Sequence, residues 1–337
     1  MRPTILLVDV ASADRADWKS FLQNQSYEVF AAEDVDTALR QCLLVQPDLV
    51  MVHDAPPEID GFELCRRLKE NRLNQLVPVV LIRPSSDPAD IFRGFHAGAA
   101  DVWETCTSLG EGLSRAQALL RLRSCIDEQA KSVVLSLARS IAAKDSLADG
   151  HSDRMVEYAV QLGESHGLQE HELQELRIAC LLHDVGKVAV PDNILQKPGA
   201  LDAEEMEIVK QHPVVGENIC APLRSFRAVL PVIRHHHERM DGSGYPDGLR
   251  GEQIPVQARV LQIADIYDAL TTDRPYRVAL TSEEALQILH HEAASGRLDT
   301  SLVREFSWIR RSGENLREGG RSMLASYYGL PQPVAFF

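Results

Sequence analysis

The residues of this chain best suited to chemistry fall in one ordered series. His183-Asp184-Val185-Gly186-Lys187 comes first, then His212, then His235-His236-His237-Glu238. Asp241-Gly242-Ser243-Gly244-Tyr245-Pro246 follows, Asp265 and Asp268 close the series, and Arg274 and Arg277 stand just behind it. Neutral imidazoles and carboxylates are the ligands that a divalent transition metal takes. A pair of such metals is a common device for hydrolysing phosphate esters. Singly, each residue has a plainer reading: a core histidine, a surface His-His pair, an aspartate paired with an arginine. The order is what carries the signal.

The elements that must position these groups can be read from the same stretch. His183 and Asp184 end an apolar helical run, where burying either group without a partner is costly. His236 and His237 are adjacent, about 100° apart on a helix, so one centre takes both only at a helix end. The Gly- and Pro-rich turn behind them supplies that end. Asp265 and Asp268 are three apart and share a helix face. His151, in Gly150-His151-Ser152-Asp153-Arg154, stands at a helix start. Past residue 130 helical periodicity dominates, over Val133–Ala143, Arg154–Glu164, Glu170–Leu182, Ala203–His212, Gly216–Cys220, Ala228–His236, Gln257–Thr271 and Ser282–Ala293. An all-α domain is expected there. The stretch after Asp299 is charged, and its Trp308, Tyr327, Tyr328, Phe336 and Phe337 are available to pack back onto that domain.

The first part of the chain has a different period. Ile5–Val8, Glu28–Ala31, Leu49–Val52 and Val77–Ile82 read as buried strands, with a weaker one at Asp101–Trp103. Helical patterns at Asp14–Gln23, Val35–Leu44, Gly61–Lys69 and Pro88–Ala97 separate them. This alternation predicts an α/β doubly wound fold, a five-stranded parallel sheet with functional residues at the carboxyl ends of its strands. Residues 108–145 lack proline and carry an apolar stripe, which predicts a connecting helix. Its plain role is to cover hydrophobic surface, and its other role is to carry signals or form a homodimer.

Composition sets the outer bounds. With 337 residues, 45% hydrophobic and 25% charged, the chain is expected to hold two globular domains. A net charge of −14 disfavours non-specific contact with nucleic acid or anionic membrane. The six cysteines include no Cys-x-x-Cys pair, as in reduced cytosolic proteins. Asp9 ends the first apolar run too early for a signal peptide, and no segment is long and apolar enough to span a bilayer. The expectation is a cytoplasmic protein with neither nucleic-acid nor membrane partners.

Two resemblances sharpen this picture. Residues 1–123 resemble a response-regulator receiver domain, through Pro47-Asp48-Leu49-Val50-Met51-Val52, Pro57-Glu58-Ile59-Asp60-Gly61-Phe62-Glu63 and Gly98-Ala99-Ala100-Asp101. Its chemical residues are replaced. His53 fills the phosphoacceptor position, the acidic pair is reduced to Asp9, Arg83 takes the hydroxyl position, and Thr105 takes the lysine position. Asp54 is the rival acceptor, but a one-residue slip aims a strand side chain at the opposite face. The expectation is a pseudo-receiver without aspartyl phosphorylation.

Residues 135–320 resemble the HD-GYP family of HD-superfamily phosphohydrolases. The resemblance rests on the series above together with Pro191-Asp192-Asn193-Ile194-Leu195-Gln196-Lys197-Pro198-Gly199 and Arg274-Pro275-Tyr276-Arg277. It implies hydrolysis of cyclic di-GMP to the linear dinucleotide or GMP. It makes His151, His183, Asp184, His212, His236, His237 and Asp265 the metal ligands, with Asp184 shared by two metals that activate a bridging hydroxide. Lys187 would contact the scissile phosphate, Arg274 and Arg277 the substrate phosphates, and Tyr245 the guanine. Leu147 replaces a glutamate that binds a third metal in some members, so two metals are expected, Fe or Mn ahead of Zn. Other signalling proteins are further expected partners. Three alternatives stay open: an active phosphodiesterase, a slow nucleotide-binding scaffold, or an enzyme for another cyclic or linear dinucleotide. A tail, 321–337, has no assigned role.

Overall fold

A computed structural model describes residues 2–9, 13–56, 59–84, 87–144, 151–197, 199–273 and 278–313. Leu147, Arg274, Arg277 and the tail lie outside the described residues. The strands are β1 (Thr4–Val8), β2 (Glu28–Ala32), β3 (Leu49–His53), β4 (Val79–Arg83) and β5 (Asp101–Glu104). They form one parallel sheet in the order β2-β1-β3-β4-β5. Between them run α1 (Ala13–Asn24), α2 (Val35–Val45), α3 (Gly61–Glu70) and α4 (Pro88–His96). The doubly wound sheet expected from the alternation is therefore present. Expected strand Val77–Ile82 begins later than the apolar run suggested. Pro78 lacks an N–H, and the Val77 N–H turns back to the Asn74 carbonyl at 2.9 Å.

Each face of the sheet has its own core. Leu6, Val8, Val50, Val52 and Leu81 pack on one side with Leu64 and Leu68 of α3. Ile5, Leu7, Leu49 and Met51 pack on the other with Leu22 and Trp103. Strands buried on both faces explain why these segments read as unbroken apolar runs rather than alternating ones.

The rest is helical: α5 (Leu109–Lys144), α6 (His151–Ser165), α7 (Glu170–Leu182), α8 (Asp192–Leu195), α9 (Ala203–Val209), α10 (His212–Cys220), α11 (Leu230–His235), α12 (Val256–Thr271), α13 (Ser282–Ala294) and α14 (Thr300–Gly313). Short 3₁₀ turns cover Val185–Ala189, Arg224–Val229 and Gly251–Gln253. The α/β domain followed by a helical one is as expected, but three details differ. The expected helix Ala203–His212 stops at Val209, and His212 starts α10, with Pro213 in its first turn. Proline is suited to that place and not to a helix interior. Expected helix Ala228–His236 splits into a 3₁₀ turn and α11, with Pro231 near the junction. Helix α14 was not expected. Its polar composition hides Leu302, Val303 and Phe306, all fully buried, while Trp308 is 69% exposed and does not pack back.

Chain contacts divide the molecule into two compact units, one from Met1–Asp145 and Leu181–Arg234, the other from Ser146–Cys180 and His235–Phe337. In the first, the 3₁₀ turn Val185–Ala189 lies against α10. A Cβ at Gly186 would collide with the His212 carbonyl oxygen and meet the Gly216 nitrogen at 2.6 Å. Only glycine allows so close a backbone approach. Also in this unit, Asp127 of α5 accepts the Arg224 and Ser225 N–H groups at 2.6 and 3.0 Å. Asp48, at the start of β3, pairs with Arg224, and Arg227 donates to the Gln46 carbonyl at 2.9 Å.

In the second unit, Tyr158, Tyr267 and Phe306 bring α6, α12 and α14 together edge-on, with ring centroids 4.9–6.2 Å apart. The Tyr267 hydroxyl donates to Ser282 Oγ at 2.9 Å, so its polar end is satisfied as its ring is buried. Phe306→Ala is expected to cost about 3–5 kcal/mol of stability, and Phe306→Leu much less. Chemical denaturation of the two variants measures the difference.

Candidate metal centre

Four of the expected site residues meet in the first unit. Helix α7 ends at Leu182, and His183 and Asp184 follow at once. Asp184 Oδ2 lies 3.2 Å from His183 Nε2 and 2.8 Å from Lys187 Nζ, while Oδ1 lies 3.3 Å from His212 Nε2. Burial pushes the Asp184 carboxyl up. The adjacent charges of His183 and Lys187, with the His183 and His212 rings close by, outweigh it and hold the group well below the usual carboxylate range. The carboxylate is thus ionised, with each oxygen turned to a different imidazole. His212 Nδ1 donates to the Val209 carbonyl at 2.8 Å, which leaves Nε2 as the nitrogen open to a metal.

The second unit holds the other donors. Helix α11 ends at His235, so His236 and His237 lie just past a helix end, as their adjacency required. His151 begins α6, and Asp265 lies on α12. His151 Nδ1 is 2.5 Å from Asp268 Oδ2, and Arg154 Nε donates to Asp268 Oδ1 at 2.7 Å. Burial raises the Asp268 carboxyl, but hydrogen bonds from His151 and Arg154 and their charges bring it below its ordinary value. An ionised carboxylate behind Nδ1 fixes the proton there and frees Nε2 to ligate. Asp268 is thus the arginine partner of its plainer reading and also the group that orients His151. Its three-residue spacing from Asp265 was the signal for it.

The loop after the histidines is held by a residue whose part went unassigned. Glu238, 1% exposed, accepts the N–H groups of Asp247, Gly248 and Leu249 at 2.7, 3.0 and 3.0 Å. Gln262 of α12 donates to the Glu238 carbonyl at 2.7 Å. A Cβ at Gly244 would meet the Glu238 Cα at 2.5 Å, so the chain folds back through a gap that only glycine fits. Tyr245 then stacks on His237, with centroids 4.9 Å apart and planes at 29°, and its bond to Pro246 is cis.

Among the described residues, candidate metal-binding clusters of His and Asp draw on His151, His183, Asp184, His212, His236, His237 and Asp265. Imidazole and carboxylate donors of this kind fit a divalent transition metal. Among the described residues, the acids Asp184, Asp268 and Glu238 each have polar partners.

The receiver-like sheet places its own polar groups at the carboxyl ends of its strands. His53 Nδ1 lies 3.0 Å from Asp9 Oδ1, and its Nε2 lies 3.5 Å from Thr105 Oγ1. Asp54 is buried and committed elsewhere. It accepts the Gly61 N–H at 2.8 Å and pairs with Arg83 at 2.6 Å.

Comparison with known proteins agrees with both parts. The response regulator receiver domain family matches residues 5–108, and the HD domain family matches residues 136–302. The cyclic di-GMP phosphodiesterase response regulator RpfG of Xanthomonas campestris pv. campestris is 34% identical over 319 residues, which span 87% of this chain and 84% of that protein. The chain belongs to the HD-GYP family. A probable cyclic di-GMP phosphodiesterase of Vibrio cholerae is 30% identical over 85% of this chain and 73% of its own length. The 3′3′-cGAMP-specific phosphodiesterase 2 of the same organism is 41% identical over 161 residues, 47% of this chain and 30% of that protein. For this HD-GYP chain, Asp268→Asn is expected to weaken divalent-metal binding about 10–100-fold without unfolding the protein. Metal titration followed by thermal unfolding checks both parts, and unchanged affinity would remove Asp268 from the centre.

Proposed function

We propose that the chain is a metal-dependent phosphodiesterase that hydrolyses cyclic di-GMP to the linear dinucleotide or GMP. His151, His183, Asp184, His212, His236, His237 and Asp265 would hold two divalent metals, with Asp184 shared. The observation that carries this reading is the Asp184 carboxylate, whose Oδ1 faces His212 and whose Oδ2 faces His183. That disposition suits a carboxylate that serves two ions. A histidine-rich set favours Fe or Mn, with Zn compatible, over Mg²⁺. Bound there, the metals supply Lewis acidity and lower the pKa of water toward neutrality.

The chain's own residues complete the chemistry. Lys187 would add positive charge where phosphate oxygens gain negative charge, and would return a proton to the departing 3′-oxygen. Arg274 and Arg277 offer planar forks that hold the substrate phosphates. Tyr245, already stacked on an imidazole, offers a ring face to guanine. Exposed Leu122, Ile126, Val133 and Leu137 on α5 support homodimerisation through the connecting helix.

The test is turnover of cyclic di-GMP by purified protein loaded with Mn or Fe. His183→Ala and Asp184→Ala are each expected to lower the rate by roughly a thousand-fold. Turnover equal to the unaltered protein would sink the proposal. The similarity to a 3′3′-cGAMP-specific enzyme over 161 residues supports a second reading, preference for a mixed cyclic dinucleotide. The ratio of kcat/KM for the two substrates decides between them.

The receiver-like domain, in this reading, works without aspartyl phosphorylation. His53 stands at the acceptor position and Asp54 is tied to Arg83 and Gly61. Beryllofluoride is expected to leave the protein's spectra unchanged. A shift abolished by Asp54→Asn would contradict this.

A further inference from the structure

The first unit contains a cavity of about 250 Å³ at the carboxyl ends of β1, β3 and β4. Its walls are of two kinds. Leu7, Met51, Ile82 and Leu109 give an apolar floor and side, and the Trp18 indole gives a flat face. Asp9, Asp17, His53, Thr105 and Thr107 supply the polar groups. Apolar and polar groups, Ser108 among the latter, share the lining about equally, which suits a small amphipathic molecule.

The charge of the lining decides what it can hold. Two aspartates line it, and none of the described residues that line it is lysine or arginine. An anion here would meet like charge with no compensating cation, so a phosphoryl group is disfavoured. A cation gains from both acids and from the indole, the aromatic ring that best attracts positive charge. Trp18 is held in place for this. It lies 6.1 Å from the Trp103 ring, and Gly112 of α5 leaves room for it, since a Cβ there would collide with the indole. His53, bound to Asp9 through Nδ1 at 3.0 Å, keeps that carboxylate turned along the cavity wall.

We propose that this pocket binds a small organic cation, an amine or amidine carried on a flat apolar body. The pocket reaches the helix that such a ligand would have to influence. Ser108 and Leu109, which line it, open α5, and Asp127 on the same helix grips the backbone of the Arg224–Val229 turn. The inference is independent of the phosphodiesterase reading, because its test reads binding alone.

Benzamidine, benzamide and benzoate share one flat ring and differ in charge, so they serve as probes on the full-length protein. Titration calorimetry, with indole fluorescence as a second signal, is expected to show saturable benzamidine binding about ten-fold or more tighter than benzamide, and no benzoate binding. Asp9→Asn and Asp17→Asn are each expected to weaken benzamidine about three- to ten-fold and leave benzamide unchanged. Asp17 is exposed at the rim, so its variant tests the site even where a change at buried Asp9 disturbs folding. Trp18→Phe should abolish the fluorescence response. Absence of saturable benzamidine binding, equal affinity for benzamide, or loss of both ligands alike in Asp17→Asn would overturn the proposal.

Discussion

The helical part of this protein depends on keeping one partly buried carboxylate ionised. Asp184 would be costly to hold as a charge so near the interior, and burial alone would favour its neutral form. Two imidazoles and an ammonium within 3.3 Å reverse that balance. The surrounding backbone follows from the need to bring them there. The helix before Asp184 must stop at Leu182, Lys187 must return to it through a 3₁₀ turn, and His212 must come close enough that Gly186 can carry no side chain.

The same rule, that a buried acid needs an assigned partner, organises the other half of the donors. Asp268 holds His151 and is itself held by Arg154. Glu238 holds three loop N–H groups and so fixes the turn that carries Tyr245. Neither acid belongs to the seven donors. Asp268 orients one of those proposed donors, His151, while Glu238 shapes the loop that follows His237, and such supporting groups matter nearly as much to a metal site as its ligands.

Much of this was legible in the sequence, for physical reasons. The doubly buried strands announce themselves as apolar runs, and the donors as imidazoles and carboxylates in a fixed order. What the sequence hid were properties of contact rather than of type. Nothing in Glu238 itself distinguishes a loop clamp from a metal ligand. Gly186 reads as part of a motif, but its necessity comes from a carbonyl at His212, far along the chain. Helix α14 escaped notice because three buried residues sit in an otherwise polar segment. The breaks at Val209 and Val229 follow prolines at helix starts, a local cue outweighed by periodicity in a longer window.

The receiver-like domain keeps the receiver fold with other polar groups at its strand ends. Asp54 is paired with Arg83, and His53 occupies the strand end beside Asp9. Sharing of the Asp184 carboxylate by two metals is the proposal on which the chemistry of the helical domain rests. Its most direct test is the metal content of protein purified in the presence of Mn²⁺, measured by mass spectrometry for the unaltered chain and for Asp184→Asn. About two metals per chain are expected, falling to one or none in the variant. A single metal in the unaltered protein, or two in both, would contradict it.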